Sequence, residues 1–351
     1  MNKAIFFIFT IAFILIAANN FPGQTVPSSR LDLRIVADEA EAVLRILQKR
    51  ENSAEITEAD WQKVFSSEGY TRLKKRESAM SRPFADEDFK AFVLSPELFA
   101  RRRELAATLR AWKEIDAARA GAAALQYLPA NAAIRARVYP VIKPRDNSFV
   151  FEVRENPAIF LFLDPKVTKR QFENTLAHEL HHIGFGTACP PPETSAAIEK
   201  LPPARQKVLK WTGAFGEGFA MLAAAGGAGV HPHAVSAAED RARWDRDAAN
   251  FNDDLKTVEK FLLDLEAGKL TEEKEVETAR SFYGETQGAW YTVGWQMAAV
   301  IEKTYGRARL IEVFCDRRKL LPTFNEAVKK YNRRHKTRLA EWSPELIAKF
   351  E

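Results

Sequence analysis

The chain has 351 residues, of which 46% are hydrophobic and 28% charged, and its formal net charge is +5. These values are typical of a globular protein and exclude a disordered or fibrous chain. The length permits one or two domains and a core large enough to be stable without disulfides.

The first twenty residues predict export. Lys3 precedes an unbroken apolar run, Ala4–Ala18, which ends at Asn19 and Asn20. The run is shorter than the about 20 residues that a membrane span needs, and it fits the core of a secretory signal. We predict a signal peptide over residues 1–20 and a periplasmic or extracellular protein, the alternative being an uncleaved N-terminal anchor. We predict no stable membrane span after signal removal, because no second apolar run is long enough.

Two other features of the composition are less informative. Cys189 and Cys315 are the only cysteines, and export permits a disulfide between them, but their spacing does not establish one. Basic clusters occur at Arg101–Glu104 and Lys329–Arg338 without the motifs of RNA-binding or zinc-finger domains. We interpret them as solvated helix faces and predict no nucleic-acid partner. The oligomeric state cannot be read from the sequence.

The chain from about Leu31 to Leu128 has the apolar spacing of helices. Ser95-Pro96-Glu97 is a good helix start, and Thr57 with Asp60 resembles a capped start. We predict a helical N-terminal region over residues 30–130, in which no catalytic cluster is visible.

Short β-branched and aromatic segments follow between Ile134 and Pro165, separated by turn sequences. The segments "IRARVYPVIK", "SFVFEV" and "AIFLFLD" predict three strands. The pattern then returns to helix as far as the C-terminus. The sequence therefore predicts an α+β fold that is mainly α, with a small antiparallel or mixed sheet between a helical flank and a helical C-terminal half.

The segment "VTKRQFENTLAHELHHIGFG" predicts a helix that begins near Thr168 and ends at Gly184 and Gly186. Its apolar residues recur on one side, which we expect to pack on the sheet. These residues are Phe172, Leu176, Leu180 and Ile183.

This helix carries half of the six histidines of the chain, with His178 and His182 on the side opposite the apolar residues and His181 at its border. His178 and His182 are four residues apart, so both imidazoles can reach one Zn²⁺ at about 2.0–2.1 Å. Glu179 between them is placed to take a proton from metal-bound water. His181 could pair with His178 instead, but the His178–His182 pair is favoured because it leaves Glu179 with a role. His181 would then be a packing or supporting residue.

A third ligand is expected on the next predicted helix, Lys207–Gly227. Glu217 lies outside its apolar stripe, on a side occupied by small residues, as a helix held closely to a neighbour by a shared metal would require. The alternative is an ordinary exposed glutamate. Two histidines, one glutamate and an open position for water would make a hydrolytic type of site with one Zn²⁺ per chain.

"HELHH" followed by "GEGFA" resembles the gluzincin metallopeptidases, in which two helical histidines and a glutamate from a later helix hold zinc. More closely, the chain resembles a bacterial family described as putative zinc-dependent peptidases, and this similarity covers most of the mature chain. It rests on "WQKVFSSEGYTRLKKRE", "VYPVIKPRDNSFVFEV", "FLDP", "FENTLAHELHHIG" and "YTVGWQMAAVIEKTYGR".

The resemblance implies particular roles. His178, His182 and Glu217 would be zinc ligands and Glu179 the general base, in a catalytic domain spanning residues 131–351. One position departs from the thermolysin-like branch, which has an aspartate four residues after its ligand glutamate to orient a histidine. Met221 stands there in this chain.

A second catalytic residue would donate a hydrogen bond to the developing oxyanion. We predict Tyr291 for this role, because it opens a "YxxG" segment leading into a helix, as in the family that the chain resembles. Tyr283, His231 and His233 are the other candidates, and simple core packing is the alternative for each tyrosine. In such enzymes an edge strand pairs with extended substrate; "SFVFEV" or "AIFLFLD" could supply it.

Together these features predict an exported zinc-dependent metallopeptidase that acts on peptides or proteins. Two alternatives remain at this stage. One is a zinc-holding protein that binds peptides without cleaving them. The other is a metallohydrolase of a non-peptide amide or a cell-wall fragment.

Overall fold

The structure is a computed structural model that describes residues 30–284 and 287–350. The predicted signal peptide, residues 1–20, lies outside the described residues. Among the helices that are described, none is both long enough and apolar enough to cross a membrane.

The prediction of a mainly helical α+β fold is confirmed. The sheet has four strands: β1 (Leu31–Ile35), β2 (Ile134–Val141), β3 (Phe149–Phe151) and β4 (Ala158–Phe162). Their order across the sheet is β1-β2-β4-β3. β2 pairs in parallel with both β1 and β4, whereas β3 pairs antiparallel with β4, so the sheet is mixed. The three predicted strands are present, and the edge strand among them is β3.

The prediction that the chain is helical from Leu31 onward is wrong at its first residues. Leu31, Leu33 and Ile35 alternate with more exposed residues, and β1 pairs in register with β2 from Leu31–Ile134 to Ile35–Val138. Such a short segment carries little periodicity of its own. A partner strand that lies about a hundred residues later decides its conformation.

Seven helices lie between β1 and β2. They are α1 (Asp38–Glu51), α2 (Glu58–Phe65), α3 (Glu68–Ala79), α4 (Asp86–Val93), α5 (Pro96–Ala100), α6 (Arg102–Lys113) and α7 (Ala117–Leu125). Both predicted helix starts are confirmed: the Thr57 backbone N–H donates to the Asp60 carboxylate at 2.9 Å, and the Leu98 N–H donates to the Ser95 hydroxyl at 3.2 Å. α7 packs on β1 and brings this region against the sheet.

Helix α8 (Lys169–Ala188) carries the three clustered histidines and begins at the Thr168 cap, as predicted. All four residues of its predicted apolar side are buried, and the helix contacts β2, α7 and a later helix. The predicted stop at Gly184 and Gly186 is wrong. A Cβ at Gly184 would lie 2.3 Å from Leu128 Cδ1, so this glycine allows close packing inside a continuing helix.

The rest of the chain is helical. The helices are α9 (Pro192–Glu199), α10 (Pro203–Thr212), α11 (Gly216–Ala225), α12 (Ala238–Ala249), α13 (Phe251–Glu266), α14 (Glu272–Ser281), α15 (Ala289–Tyr305), α16 (Arg307–Cys315), α17 (Arg317–Asn332) and α18 (Pro344–Ile347). A 3₁₀ turn, Gly213–Phe215, separates α10 from α11, where the sequence predicted one continuous helix.

Cys189 and Cys315 form a disulfide, with their Cα atoms 4.8 Å apart. The bond joins the end of α8 to the end of α16, across 126 residues of sequence. The question that the sequence left open is therefore settled by the fold, which brings these two helix ends together.

Candidate metal centre

Three predicted ligands converge between α8 and α11. The Nε2 atoms of His178 and His182 are 3.0 Å apart. Oε2 of Glu217 lies 3.2 Å from Nε2 of His182 and 3.4 Å from Nε2 of His178. No other group of three histidine, cysteine or acidic side chains in the described ranges places its ligand atoms this close together.

This donor set fits a zinc ion. A tetrahedral zinc with bonds of about 2.0–2.1 Å sets its ligand atoms about 3.3 Å apart, close to the three distances in the structure. Two imidazole nitrogens and one carboxylate oxygen make three protein ligands, which leaves the fourth position open. The side chains are 12–23% exposed, so they are largely desolvated yet reachable from solvent.

A close helix crossing positions Glu217. Its neighbour Gly218 lies against α15, and a Cβ there would come within 2.0 Å of the Trp295 backbone nitrogen. Gly294 on α15 makes the reciprocal contact, since its Cβ would lie 2.5 Å from the Phe215 carbonyl oxygen. Two glycines therefore let the backbones of α11 and α15 approach, and α11 presents Glu217 to α8 from this position.

The electrostatics couple Glu217 to the histidines. Burial alone would raise the pKa of Glu217, but His182 and His178 reverse this effect and hold its pKa well below the ordinary value. Burial lowers the pKa of His182, but the Glu217 carboxylate more than offsets this and raises the pKa to about 9. The carboxylate is therefore ionised at neutral pH, as a metal ligand must be.

Glu179 lies beside this cluster without a partner of its own. Within the described residues its carboxylate makes no hydrogen bond and no ion pair. Burial raises the pKa of Glu179, and the two flanking histidines oppose that rise. An unpaired carboxylate whose pKa is raised is suited to accepting a proton.

His181 does not join the cluster. Its Nε2 lies 3.3 Å from the Tyr127 carbonyl oxygen, and its ring contacts the rings of Phe185 and Phe219. Burial, with the neighbouring histidines, lowers the pKa of His181 to about 3, so the side chain is neutral. The structure therefore brings together His178 and His182, and not the alternative pair His178 and His181.

Tyr291 lies at the cluster. Burial, followed by the charge of Glu217 and a hydrogen-bond interaction with its carboxylate, raises the pKa of the Tyr291 hydroxyl. The ring of Tyr283 lies 6.4 Å from that of Tyr291. Of the tyrosines that the sequence offered as oxyanion donors, Tyr291 is the one that contacts a predicted ligand.

The two histidine candidates bond elsewhere. Nε2 of His231 lies 2.9 Å from Oδ1 of Asp245. Nδ1 of His233 lies 2.9 Å from the Ser236 hydroxyl. Both rings take part in local hydrogen bonds of their own, so the structure does not bring them to the cluster.

The family model described as "Putative zinc dependent peptidase (DUF5700)" matches residues 38–333. The chain belongs to this family. The resemblance to putative zinc-dependent peptidases is thereby confirmed, and the family's description agrees with the zinc-type donor set. No curated protein and no solved structure shows significant similarity to the chain.

In this member of the zinc-peptidase family, the structure shows what accompanies Met221 at the position where the thermolysin-like branch has an aspartate. Nδ1 of His178 is buried and has no hydrogen-bond partner among the described residues. In the described part of the chain, no carboxylate therefore orients His178 through this nitrogen. The unpartnered Nδ1 of His178 agrees with the presence of Met221 in place of that aspartate.

One residue beside the cluster carries no recognisable signal in the sequence. A cavity of about 270 Å³ is lined by His182 and Glu217, and also by Arg317 at the start of α17. Arg317 lies a hundred residues after Glu217 and within a run of basic residues, where nothing distinguishes it from its neighbours. Only the fold places it next to the predicted zinc ligands.

Proposed function

We propose that the protein is an exported zinc-dependent metallopeptidase that hydrolyses peptide bonds, with Glu179 as general base. The observation that carries the proposal is the convergence of His178, His182 and Glu217 beside an unpartnered Glu179. Membership of a zinc-peptidase family supports the same reaction class.

A zinc ion held by these residues would polarise the scissile carbonyl and acidify the attacking water. In the proposed reaction Glu179 accepts a proton from that water and returns it to the leaving amine. Tyr291 turns its hydroxyl from Glu217 toward the substrate oxygen on which negative charge develops. Burial keeps this hydroxyl protonated at neutral pH, as a hydrogen-bond donor must be.

An edge strand is available for the substrate. β3 pairs only with β4 among the described strands, and it contacts α8. A peptide lying along its free edge would gain main-chain hydrogen bonds without a requirement for particular side chains. This supports a peptide or protein as the substrate.

Export is part of the proposal. The predicted signal peptide motivates it, and the Cys189–Cys315 disulfide supports it, because such bonds persist in oxidising compartments. Detection of the mature protein outside the cytoplasm, with an N-terminus near residue 20, would test this part directly.

The test of the reaction uses two variants. Glu179→Gln is expected to retain about one zinc per chain and to lose turnover by several orders of magnitude, because the ligands remain while the base is lost. Glu217→Ala is expected to lose most of its zinc. Elemental mass spectrometry measures the metal, and a chelator-sensitive screen of protein, peptide and peptidoglycan substrates measures turnover.

Each result of this test has a clear meaning. Full activity of Glu179→Gln would exclude the general-base role. Equal zinc in the parent and Glu217→Ala would place the third ligand elsewhere. Zinc without cleavage of any substrate would favour a peptide-binding protein, and cleavage of peptidoglycan alone would favour a cell-wall hydrolase.

A further inference from the structure

The cavity beside the metal centre is lined by predicted zinc ligands together with cationic and aromatic side chains. His182 and Glu217 are the predicted ligands that line it, and Arg317 and Lys210 are its cationic lining residues. Aromatic side chains contribute the remaining walls; these are Phe185, Trp211 and Tyr283. A group bound here would therefore contact apolar surface and positive charge next to the predicted zinc.

Arg317 has no counter-charge among the described residues. Within the described residues its guanidinium is within ion-pair distance of no carboxylate, and its one hydrogen bond is a long contact of 3.5 Å from Nη1 to the Leu209 carbonyl oxygen. The next residue provides a contrast, because Arg318 is held by both oxygens of Asp316 at 2.8 and 2.9 Å. Among the described residues, Arg318 therefore has a carboxylate partner, whereas Arg317, which lines the cavity, has none.

The surroundings make this unpaired charge unfavourable. Burial lowers the pKa of Arg317, and the positive charge of Arg154 lowers it further. Arg317 is also the first residue of α17, where the helix dipole disfavours a cation. A half-buried guanidinium with five hydrogen-bond donors and no acceptor carboxylate costs free energy unless a ligand supplies the anion.

The guanidinium of Arg317 occupies space that is free because residue 213 is a glycine. A Cβ at Gly213 would lie 2.6 Å from Cζ of Arg317, so the guanidinium rests on the bare backbone of the 3₁₀ turn that leads into α11. The same turn precedes Glu217 by a few residues. The position of Arg317 is thus fixed relative to the element that carries the third predicted ligand.

We propose that Arg317 binds a carboxylate of the substrate during cleavage. This inference rests on the proposed peptidase function and adds a substrate class to it. The planar guanidinium can bind a carboxylate through two parallel hydrogen bonds. The carboxylate is either the free C-terminus of the peptide or an aspartate or glutamate side chain close to the cleaved bond. The small cavity fits one terminal residue or one side chain.

The experiment compares matched peptides. The zinc-loaded parent is first incubated with a mixture of defined peptides, and mass spectrometry locates the cleaved bonds. The best substrate is then made in three forms: with a free C-terminus, with a C-terminal amide, and with each acidic residue near the cleaved bond replaced by its amide. We expect one of the two neutralised forms to raise KM about 10- to 100-fold.

Two variants assign the effect to Arg317. Arg317→Met should raise KM for the acidic form to the value of the neutral form while leaving the neutral form unchanged, and Arg317→Lys should restore part of the difference. Arg333→Met is the control, because it removes the same charge from an exposed residue at the far end of α17, about 24 Å away. Arg333→Met should change neither the KM for the acidic peptide nor the KM for the neutral peptide.

A binding measurement separates this inference from the proposed function. Isothermal titration of the same peptides into Glu179→Gln measures Kd without turnover, and Arg317→Met in that background should abolish the preference for the carboxylate. If acidic and neutral peptides bind Glu179→Gln with equal Kd, and Arg317→Met in that background changes neither value, the carboxylate site is wrong. This conclusion would hold even if the parent is a peptidase. Absence of all cleavage, with the Kd preference intact, would overturn the peptidase function and leave the site as that of a peptide-binding protein.

Discussion

At the scale of single residues, His181 and His182 are neighbours with opposite electrostatic surroundings. Burial lowers the pKa of His181 to about 3, whereas Glu217 raises that of His182 to about 9. Because the carbonyl of Tyr127 can only accept, Nε2 of the neutral His181 must carry the hydrogen. One residue therefore supports the packing of α8, and the next is a predicted ligand.

Substitution separates these two roles. His182→Ala should lose most of its zinc, because one of three ligands is removed. His181→Phe should keep about one zinc per chain, since a ring still packs against Phe185 and Phe219. It should lower the free energy of unfolding by about 1–3 kcal/mol, because the Tyr127 carbonyl loses its buried donor. Zinc content and denaturant unfolding measure the two effects; loss of zinc in His181→Phe with zinc retained in His182→Ala would reverse the assignment.

Tyr291 provides a second prediction at this scale. Tyr291→Phe removes the hydroxyl and keeps the ring, so it should lower kcat about 10²- to 10³-fold with little change in KM or in zinc content. Tyr283→Phe is the matched control, since its ring lies beside Tyr291 but its hydroxyl makes no hydrogen bond to Glu217. A fall in zinc affinity without a fall in kcat of the zinc-loaded variant would mean that Tyr291 only positions Glu217.

At the scale of elements, the crossing of α11 and α15 determines where the third ligand lies. Gly218 faces the backbone of α15, and Gly294 faces the backbone of Phe215 in the turn before α11, at distances that no side chain permits. Gly216 lies two residues before Gly218 on the same helix, and a Cβ added there would have no neighbouring atom within 4 Å. The helix thus has two nearby glycines, of which Gly218 is tightly packed and Gly216 has space for a side chain.

Alanine substitution should distinguish the two glycines. Gly218→Ala should lower the free energy of unfolding by about 3 kcal/mol or more, because its methyl group meets the Trp295 backbone, which cannot move without displacing α15. It should also weaken zinc binding by shifting Glu217. Gly216→Ala should be neutral or stabilise by up to about 1 kcal/mol, because alanine favours the helix. Denaturant unfolding and zinc titration of both variants test this; equal behaviour would show that the close crossing does not position Glu217.

The elements that the sequence predicted are those with a local signal. The capping pairs at Thr57 and Ser95 and the apolar side of α8 are set by residues within one or two turns, and all are confirmed. β1 and the length of α8 were mispredicted because distant contacts decide them. β1 depends on pairing with β2, and Gly184 depends on the side chain of Leu128 rather than on its own preference for turns.

At the scale of the whole molecule, the same distinction applies to the site. His178, Glu179 and His182 form a motif on one helix, so their placement on one face could be predicted. Glu217 was found through its small neighbours, which indicate a close helix contact. Arg317 could not be found, because its proximity depends on how α17 packs against the turn before α11. The metal ligands and the general base could be predicted from the sequence, whereas the cationic lining of the cavity could be recognised only in the structure.

The Cys189–Cys315 disulfide links the metal helix to the C-terminal helices. It closes a loop of 126 residues, which contains α11 and α15 and therefore Glu217 and Tyr291. Closing so long a loop restricts the unfolded chain strongly, and bonds of this kind contribute about 2–5 kcal/mol. Because its two ends lie at the ends of α8 and α16 in the folded protein, the bond also opposes separation of these helices.

Removing this bond should lower stability without changing the ligands. The double variant Cys189→Ala/Cys315→Ala should unfold about 2–5 kcal/mol more easily than the parent, yet bind about one zinc per chain when folded. Dithiothreitol should destabilise the parent by a similar amount and leave the double variant unaffected, which separates loss of the bond from changes in side-chain packing. Equal unfolding of the parent and the variant, or a parent insensitive to the reductant, would show that the disulfide does not contribute to stability. That result would also remove the disulfide from the support for export.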